Sequence, residues 1–393
     1  MFRAFSADND LPSVVSMLIP VVLAAALMNA AMVAASAVST ILIADDLGPA
    51  LAGLPNTAGV LGTAVGAMAV GRWTARLGRA HALRTGYGVG VAGGALAVVA
   101  AVGGPVALLF VGMFLLGVGN AASLLSRYAA ADAVPLARRA WAMSTVIWAS
   151  TAGAAGGPFL MAPSQSFATY LGLPAAAGPF LLAVAAVFSA LVASTHIRTS
   201  HPAAEPAPDH HEPSAPSRRT SIVLAAGVMI VGHLVMVALM TSVPVHAHLH
   251  GDGLGLLGVM LSTHTLGMFA LSPVTGWLID RSGPRPVMLA GLALLLLSAL
   301  LISQAGLAFT PALFMLGYAW NLCYLGGSAQ LVGTDLESKV ESSIWTVAAV
   351  ATAASPWLFT LGGFPVLAVI SAVLAVPLLV LVARRTSPTS VLR

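Results

Sequence analysis

The chain has 393 residues, of which 58% are apolar and only 8% are charged, where a soluble protein carries about 25% charge. With a mean hydropathy of +0.94, a soluble enzyme is excluded and an all-α polytopic membrane protein is expected. The formal net charge is +4, and the single cysteine, Cys323, excludes an intramolecular disulfide and any paired-cysteine zinc or redox motif.

A helix needs roughly 20 apolar residues to cross a bilayer. Twelve such windows run along the chain, at about 14–43, 51–71, 82–102, 105–126, 140–161, 175–195, 220–243, 253–276, 285–305, 308–331, 342–361 and 364–383. The first is too long for a signal-peptide core and has only Arg3 as a basic flank, so it reads as span one. The polar run HIRTSHPAAEPAPDHHEPSAPSRRTS cannot pack a core and predicts a flexible cytoplasmic linker over 196–219. It separates an N-terminal six-helix bundle, 1–195, from a C-terminal one, 220–393. All seventeen basic residues fall at the termini or in alternate loops, with Arg127 at the inner edge of span four. This positive-inside pattern places both termini in the cytoplasm. It also accounts for the isoelectric point of 9.7 without a nucleic-acid partner.

The two halves repeat. GRWTARLGRAHALR follows span two and GWLIDRSGPRPVML follows span eight, with Gly71 and Gly276 205 positions apart. Twelve spans in two halves, each with this loop, resemble the major facilitator superfamily, whose 2–3 loop reads roughly G-x-x-x-D-R-x-G-R. The second copy keeps Gly276, Asp280, Arg281 and Gly283; the first keeps Gly71, Arg76, Gly78 and Arg79, with Thr74 in place of the aspartate. The resemblance implies the major facilitator fold: two pseudo-symmetric six-helix bundles rocking about a central cavity, substrate near the midplane, and these loops as gates. Spans one, four, seven and ten would line the cavity. Gly59, Gly62, Gly66, Gly153 and Gly157 would let helices approach closely.

Ionised groups inside a membrane are functional by default. None of the thirteen carboxylates falls within a predicted span, and the superfamily's fourth-span arginine falls on Met113. A proton-coupled exporter built on a buried carboxylate or arginine is therefore not expected. The span-five exporter motif is matched only at Gly153, Gly157 and Pro158, with Met161 and Ala162 in place of its last glycines. The polar load that remains is His233, His264, Asn29, Asn120, Asn321 and Tyr324.

Residues i, i+3 and i+4 share a helix face. His233, Met236 and Met240 thus project together from span seven, and Met260, His264 and Met268 from span eight. At ~1.5 Å per residue, His264 lies about 16 Å from the outer surface, level with His233, so the stripes are expected to meet as a ladder. Thioether sulfur with imidazole suits Cu(I). Magnesium and calcium want oxygen, and zinc prefers thiolate, imidazole or carboxylate. Methionine is also ordinary core filler, and a lone membrane histidine is often one half of a helix–helix hydrogen bond. Spacing alone leaves both readings open.

MVALM and HTLGM also look like the paired MxxxM and HxxxM motifs of the CcoA-like copper importers, a bacterial branch of the same superfamily. The resemblance implies Met236, Met240, His264 and Met268 as copper-motif residues, and copper delivery across the inner membrane for cytochrome oxidase assembly. Members of that branch can carry several functional cysteines, whereas this chain has Cys323 alone. Two further features fit a soft-metal path. HAHLH (His246, His248, His250) falls in the outer 7–8 loop, where an extended chain would turn alternate residues one way. Met28 and Met32 form an i, i+4 pair in span one.

The expected function is import of copper, as Cu(I) or a small complex, by alternating access. The carrier is expected to work as a monomer in the bilayer, with no cofactor and no enzyme activity. Import would run downhill into cytosolic thiols, or with His264 or His233 carrying a proton. The same branch includes relatives associated with riboflavin. The alternative is therefore a carrier of riboflavin, a drug or a metabolite, with a cavity built from Trp148, Trp320, Asn321, Tyr324 and Trp345.

Overall fold

The computed structural model describes residues 11–47, 53–197, 215–249, 254–304, 306 and 308–384. Among them are thirteen α-helices, one short 3-10 turn and no strand. The first six are α1 (Leu11–Leu47), α2 (Leu54–Leu77), α3 (Arg79–Ala101), α4 (Val106–Asp132), α5 (Arg139–Tyr170) and α6 (Ala177–Ser194). They are followed by α7 (Ala215–Leu249), α8 (Leu254–Phe269), α9 (Ser272–Ser282), α10 (Pro284–Ser303), α11 (Phe309–Leu331), α12 (Glu337–Thr360) and α13 (Gly363–Arg384). Every predicted span has its helix, and span eight has two. Among the described residues seven helices, α1, α3, α4, α6, α7, α10 and α13, are long and apolar enough to cross a membrane.

The break in span eight has a local cause. Pro273 has no N–H, so the helix ladder cannot run through it unbroken. Asn321 of α11 bridges the gap: its Nδ2 donates to the Met268 carbonyl and to Ser272 Oγ, both at 2.7 Å, and its Oδ1 accepts from Thr275 Oγ1 at 2.7 Å.

The described residues fall into two compact units, one within Met1–Glu205 and Gly333–Thr346, the other within Pro206–Val332 and Val347–Arg393. The boundary lies inside α12. The expected bundles, 1–195 and 220–393, differ from these units in residues 333–346, and α7 already begins at Ala215, inside the predicted linker.

In the first unit α4 packs on α2 and α3, and α1 on α5 and α6. The α2–α4 crossing is backbone on backbone. A Cβ on Gly62 would lie 1.9 Å from the Phe114 carbonyl oxygen, and one on Gly117 would lie 2.1 Å from that of Gly59. Small residues allow this approach where lipid supplies no hydrophobic drive between helices. In the second unit α11 is central and packs against α7, α8 and α10.

The sequence repeat is also a repeat of structure. Gly78 and Gly283 hold matching left-handed φ values of 81° and 83° just before α3 and α10. Arg84 of α3 donates to the Ser194 and Thr195 carbonyls at the end of α6. Arg285 of α10 donates in the same way to the Val382 and Ala383 carbonyls at the end of α13. A guanidinium at a helix C-terminus satisfies carbonyls the helix leaves open and complements its dipole.

Candidate functional site

The first unit holds a cavity of about 480 Å³ among α1, α2, α4 and the first turns of α12. Its polar lining is Asn29, Ser36, Asn56, Asn120 and Thr63, and its apolar lining includes Met32, Met113 and Trp345. Among the described residues no ionised side chain lines it. Asn29 Nδ2 donates to the Ser150 carbonyl at 2.8 Å, Asn56 Nδ2 to Thr40 Oγ1 at 3.0 Å, and Asn120 Nδ2 to Thr63 Oγ1 at 3.4 Å.

Trp345 is fixed from behind. Its indole N–H donates to Glu341 Oε1 at 3.1 Å, and Glu341 Oε2 accepts from Arg127 Nη2 at 2.7 Å. Both charged side chains are 1% exposed. Arg127 also donates to the Leu124 carbonyl and to Tyr128 OH, and lies 4.4 Å from the centre of the Tyr128 ring. No pairing of the two was expected: Arg127 lies at the inner edge of predicted span four and Glu341 just before predicted span eleven. The apolar windows stop at 126 and start again at 342, but α4 runs on to Asp132 and α12 begins at Glu337. Arg127 and Glu341 therefore lie inside packed helices. Their mutual neutralisation makes that tolerable, and hydropathy averaging does not see it.

The expected gating loop of the first copy borders a second cavity of about 600 Å³, lined by Gly71, Arg72, Thr74, Arg79 and Glu337 among others. Arg79 bridges Asp132 and Glu337, each at 2.8 Å. Gly71 lies so close to Ser338 that a Cβ would fall 2.0 Å from its Oγ. Nearby, the Lys339 ammonium hydrogen-bonds the exposed Asp335 and holds its carboxyl below the usual range. Arg76 is exposed, and Gly78 makes the turn into α3. In the second copy Gly276 is buried, Asp280 is half-buried, Arg281 sits 5.4 Å from the Trp277 ring centre, and Gly283 makes the turn into α10.

The two histidine–methionine stripes stand on helices that make little direct contact. α7 and α8 each pack along α11. His233 Nδ1 accepts from Trp320 Nε1 at 2.8 Å. A neutral imidazole that accepts at Nδ1 carries its proton on Nε2, which leaves no lone pair for a metal. His264 has the opposite arrangement. Its Nδ1 lies 3.0 Å from the Leu313 carbonyl, which can only accept, and its buried Nε2 has no hydrogen-bond partner. Met236 and Met260 are buried, while Met240 and Met268 are half-buried. Among the described residues no three His, Cys, Asp or Glu side chains converge on one point.

The HAHLH reading needs correction at its start. His246 and His248 lie within α7, so alternate residues do not share a face as they would in an extended strand. His246 is packed among Phe309, Phe359 and Phe364. The His248 side chain and all of His250 lie outside the described residues. Met28 is fully buried against Gly119 of α4, while Met32 reaches the smaller cavity. Of the aromatic set expected for an organic cavity, Trp148 is 52% exposed and Trp320 is stacked on Tyr324. Only Trp345 lines the cavity. Sequence reasoning picked out Asn29, Asn120 and Trp345 but not Asn56, Thr63 or Glu341. Asn56 has a legible signal, an amide in a predicted span beside Pro55; Glu341 has none.

The family model described as Major Facilitator Superfamily matches residues 21–336. The chain is similar to the uncharacterised MFS-type transporter YdeG of Bacillus subtilis (strain 168), with 32% identity over 312 residues, 75% of this chain and 72% of that one. It is similar to the riboflavin transporter RfnT of Brucella anthropi, with 28% identity over 303 residues, 75% of this chain and 74% of that one. Among solved structures, the major facilitator transporter FucP in its outward conformation aligns with a TM-score of 0.73 at 17% identity, covering 95% of this chain and 100% of that one. At that identity the likeness speaks for the fold alone.

Proposed function

This chain belongs to the Major Facilitator Superfamily and is a multi-pass membrane transporter, and we propose that its substrate is a small uncharged organic solute bound in the amide-lined cavity of the first unit. The observation that carries this reading is the character of that cavity. Its volume of about 480 Å³ suits a small molecule, since such sites span about 300–1,000 Å³. A charged solute would lose its hydration there and meet no counter-charge. A neutral one with a flat apolar part and a polar edge meets Trp345, Met32 and Met113 on one side and three amides on the other. Riboflavin has that form, and the similarity to a riboflavin transporter makes it the first compound to test.

Copper import is the second reading, and His264 is the observation that favours it. An imidazole whose Nδ1–H is anchored on a backbone carbonyl presents Nε2 as a lone pair, the usual arrangement of a metal-binding histidine. Met268, one turn along α8, would be its thioether partner, with Met236 and Met240 from α7.

Uptake assays on matched variants separate the two. Cells carrying wild type, Asn120→Leu, Trp345→Ala, Met236→Ala and His264→Ala are given riboflavin or copper, with surface expression measured for each. The organic-solute reading expects saturable riboflavin uptake that falls about tenfold in the first two variants and persists in the last two. Copper uptake lost in Met236→Ala and His264→Ala, with no riboflavin uptake by wild type, would sink it in favour of copper.

A further inference from the structure

The three cavity amides are oriented, and their neighbours fix the orientation. The Ser150 carbonyl can only accept, so Asn29 must present Nδ2 to it. The Thr40 hydroxyl gives its one hydrogen to the Ser36 carbonyl at 2.9 Å, and the Thr63 hydroxyl gives its own to the Gly59 carbonyl at 3.0 Å. Each threonine oxygen can then only accept from the amide it meets, Asn56 and Asn120 respectively. An asparagine turned the other way would set acceptor against acceptor at all three places.

Both hydrogens of an amide nitrogen lie at the same end of the group, so the opposite edge is carbonyl oxygen. Asn56 Oδ1 is buried with no hydrogen-bond partner, and the oxygens of Asn29 and Asn120 accept no hydrogen bond from the described residues. The Trp345 N–H is already committed to Glu341. Asn56 Oδ1 is closed off inside the packing, so the cavity presents uncommitted acceptors from two helices, Asn29 on α1 and Asn120 on α4.

We propose that this cavity selects its solute by hydroxyl hydrogens: it takes a neutral, polyol-bearing compound whose O–H groups are accepted by the oxygens of Asn29 and Asn120. The inference rests on the organic-solute reading and adds the chemical class. Thr63 and the Ser150 carbonyl act as positioning groups, since they hold Asn120 and Asn29 oxygen-outward. A buried acceptor is expensive to leave unmade, so a compound of the same shape without the donors is rejected more strongly than its lost contacts alone would suggest.

Riboflavin and its tetra-O-acetyl derivative test this, because they share ring and chain, and acetylation replaces each of the four hydroxyl hydrogens by an acetyl group that cannot donate. Binding is followed by flavin fluorescence on the full chain in lipid nanodiscs. Wild type is expected to bind riboflavin at least about tenfold more tightly than the acetylated compound. Thr63→Val removes the oxygen that orients Asn120 while keeping the side chain's shape, and Asn120→Leu removes the acceptor. Each is expected to narrow that ratio by about threefold, and lumichrome, the ring without the chain, should bind all three proteins alike. A ratio near one in wild type overturns the polyol proposal and leaves the organic-solute reading standing. A ratio unchanged in both variants also overturns it, since size and not hydrogen donation would then be read. Failure of wild type to bind riboflavin or free ribitol overturns both.

Discussion

Glu341 and Arg127 form the most deeply buried ion pair among the described residues, and it was not visible beforehand. Removing one member of a fully buried pair strands the other, which costs about 3–5 kcal/mol. Glu341→Ala is therefore expected to lower the unfolding temperature sharply in a detergent thermal-shift assay. Replacing both by leucine should recover most of the loss, since apolar substitutes for a buried pair are often neutral. A double variant as unstable as Glu341→Ala would mean that Tyr128 and Leu124, and not the pair, hold this region. In uptake, Glu341→Gln keeps an acceptor for the Trp345 N–H and should retain more transport than Glu341→Ala. Asn29, Asn120 and Trp345 were legible as polar or aromatic residues within apolar windows. That Asn56 and Thr63 join them was not, because the residues come from helices whose facing depends on packing. His233 and His264 look equivalent in sequence and differ in the structure, one accepting from Trp320 and the other resting on Leu313.

Helix contacts depend on glycine at particular positions. Gly117→Val would drive a side chain into the Gly59 carbonyl and should separate α2 from α4, widening the cavity wall they share. Overpacking of this kind typically costs about 1–3 kcal/mol. Gly88→Ala in α3 is the control: a Cβ there meets nothing within 4 Å, and alanine's helix propensity should stabilise by up to about 1 kcal/mol. Thermal unfolding of the two variants is expected to shift in opposite directions. At the α8–α9 break, Asn321→Leu removes both hydrogen bonds from Nδ2 and leaves Thr275 Oγ1 only its longer, 3.3 Å bond to the Leu271 carbonyl. Backbone amide exchange around Leu271 should then quicken while α10, whose contacts are unchanged, stays protected. Equal exchange in wild type and variant would show that Asn321 is not what pins the break. Neither this break nor the residue that bridges it was legible beforehand: span eight reads as one window, 253–276, prolines such as Pro20 and Pro377 sit inside unbroken helices, and Asn321 lies about fifty positions further on.

For the whole chain, the arrangement of positive charge predicts a testable topology. Green fluorescent protein fused after Arg393 should be fluorescent, and alkaline phosphatase fused there inactive, if both termini face the cytoplasm. The reverse pair of results would overturn that orientation. Composition was enough to fix a polytopic α-helical membrane protein, because a bilayer demands long apolar helices and little else satisfies the backbone there. Spacing of those windows, with the repeated Gly71 and Gly276 loops, was enough for the superfamily fold. Tertiary structure alone decided which polar groups meet. It packed both histidine–methionine helices along α11, buried Arg127 against a carboxylate more than two hundred positions away, and turned the amides of Asn29 and Asn120 oxygen-first toward one cavity. The physical reason is that apolar periodicity reports which residues avoid water, whereas a site depends on which of the buried polar groups find each other. In an apolar chain, that is set by helix crossings made at glycines and by hydrogen bonds between residues far apart in sequence.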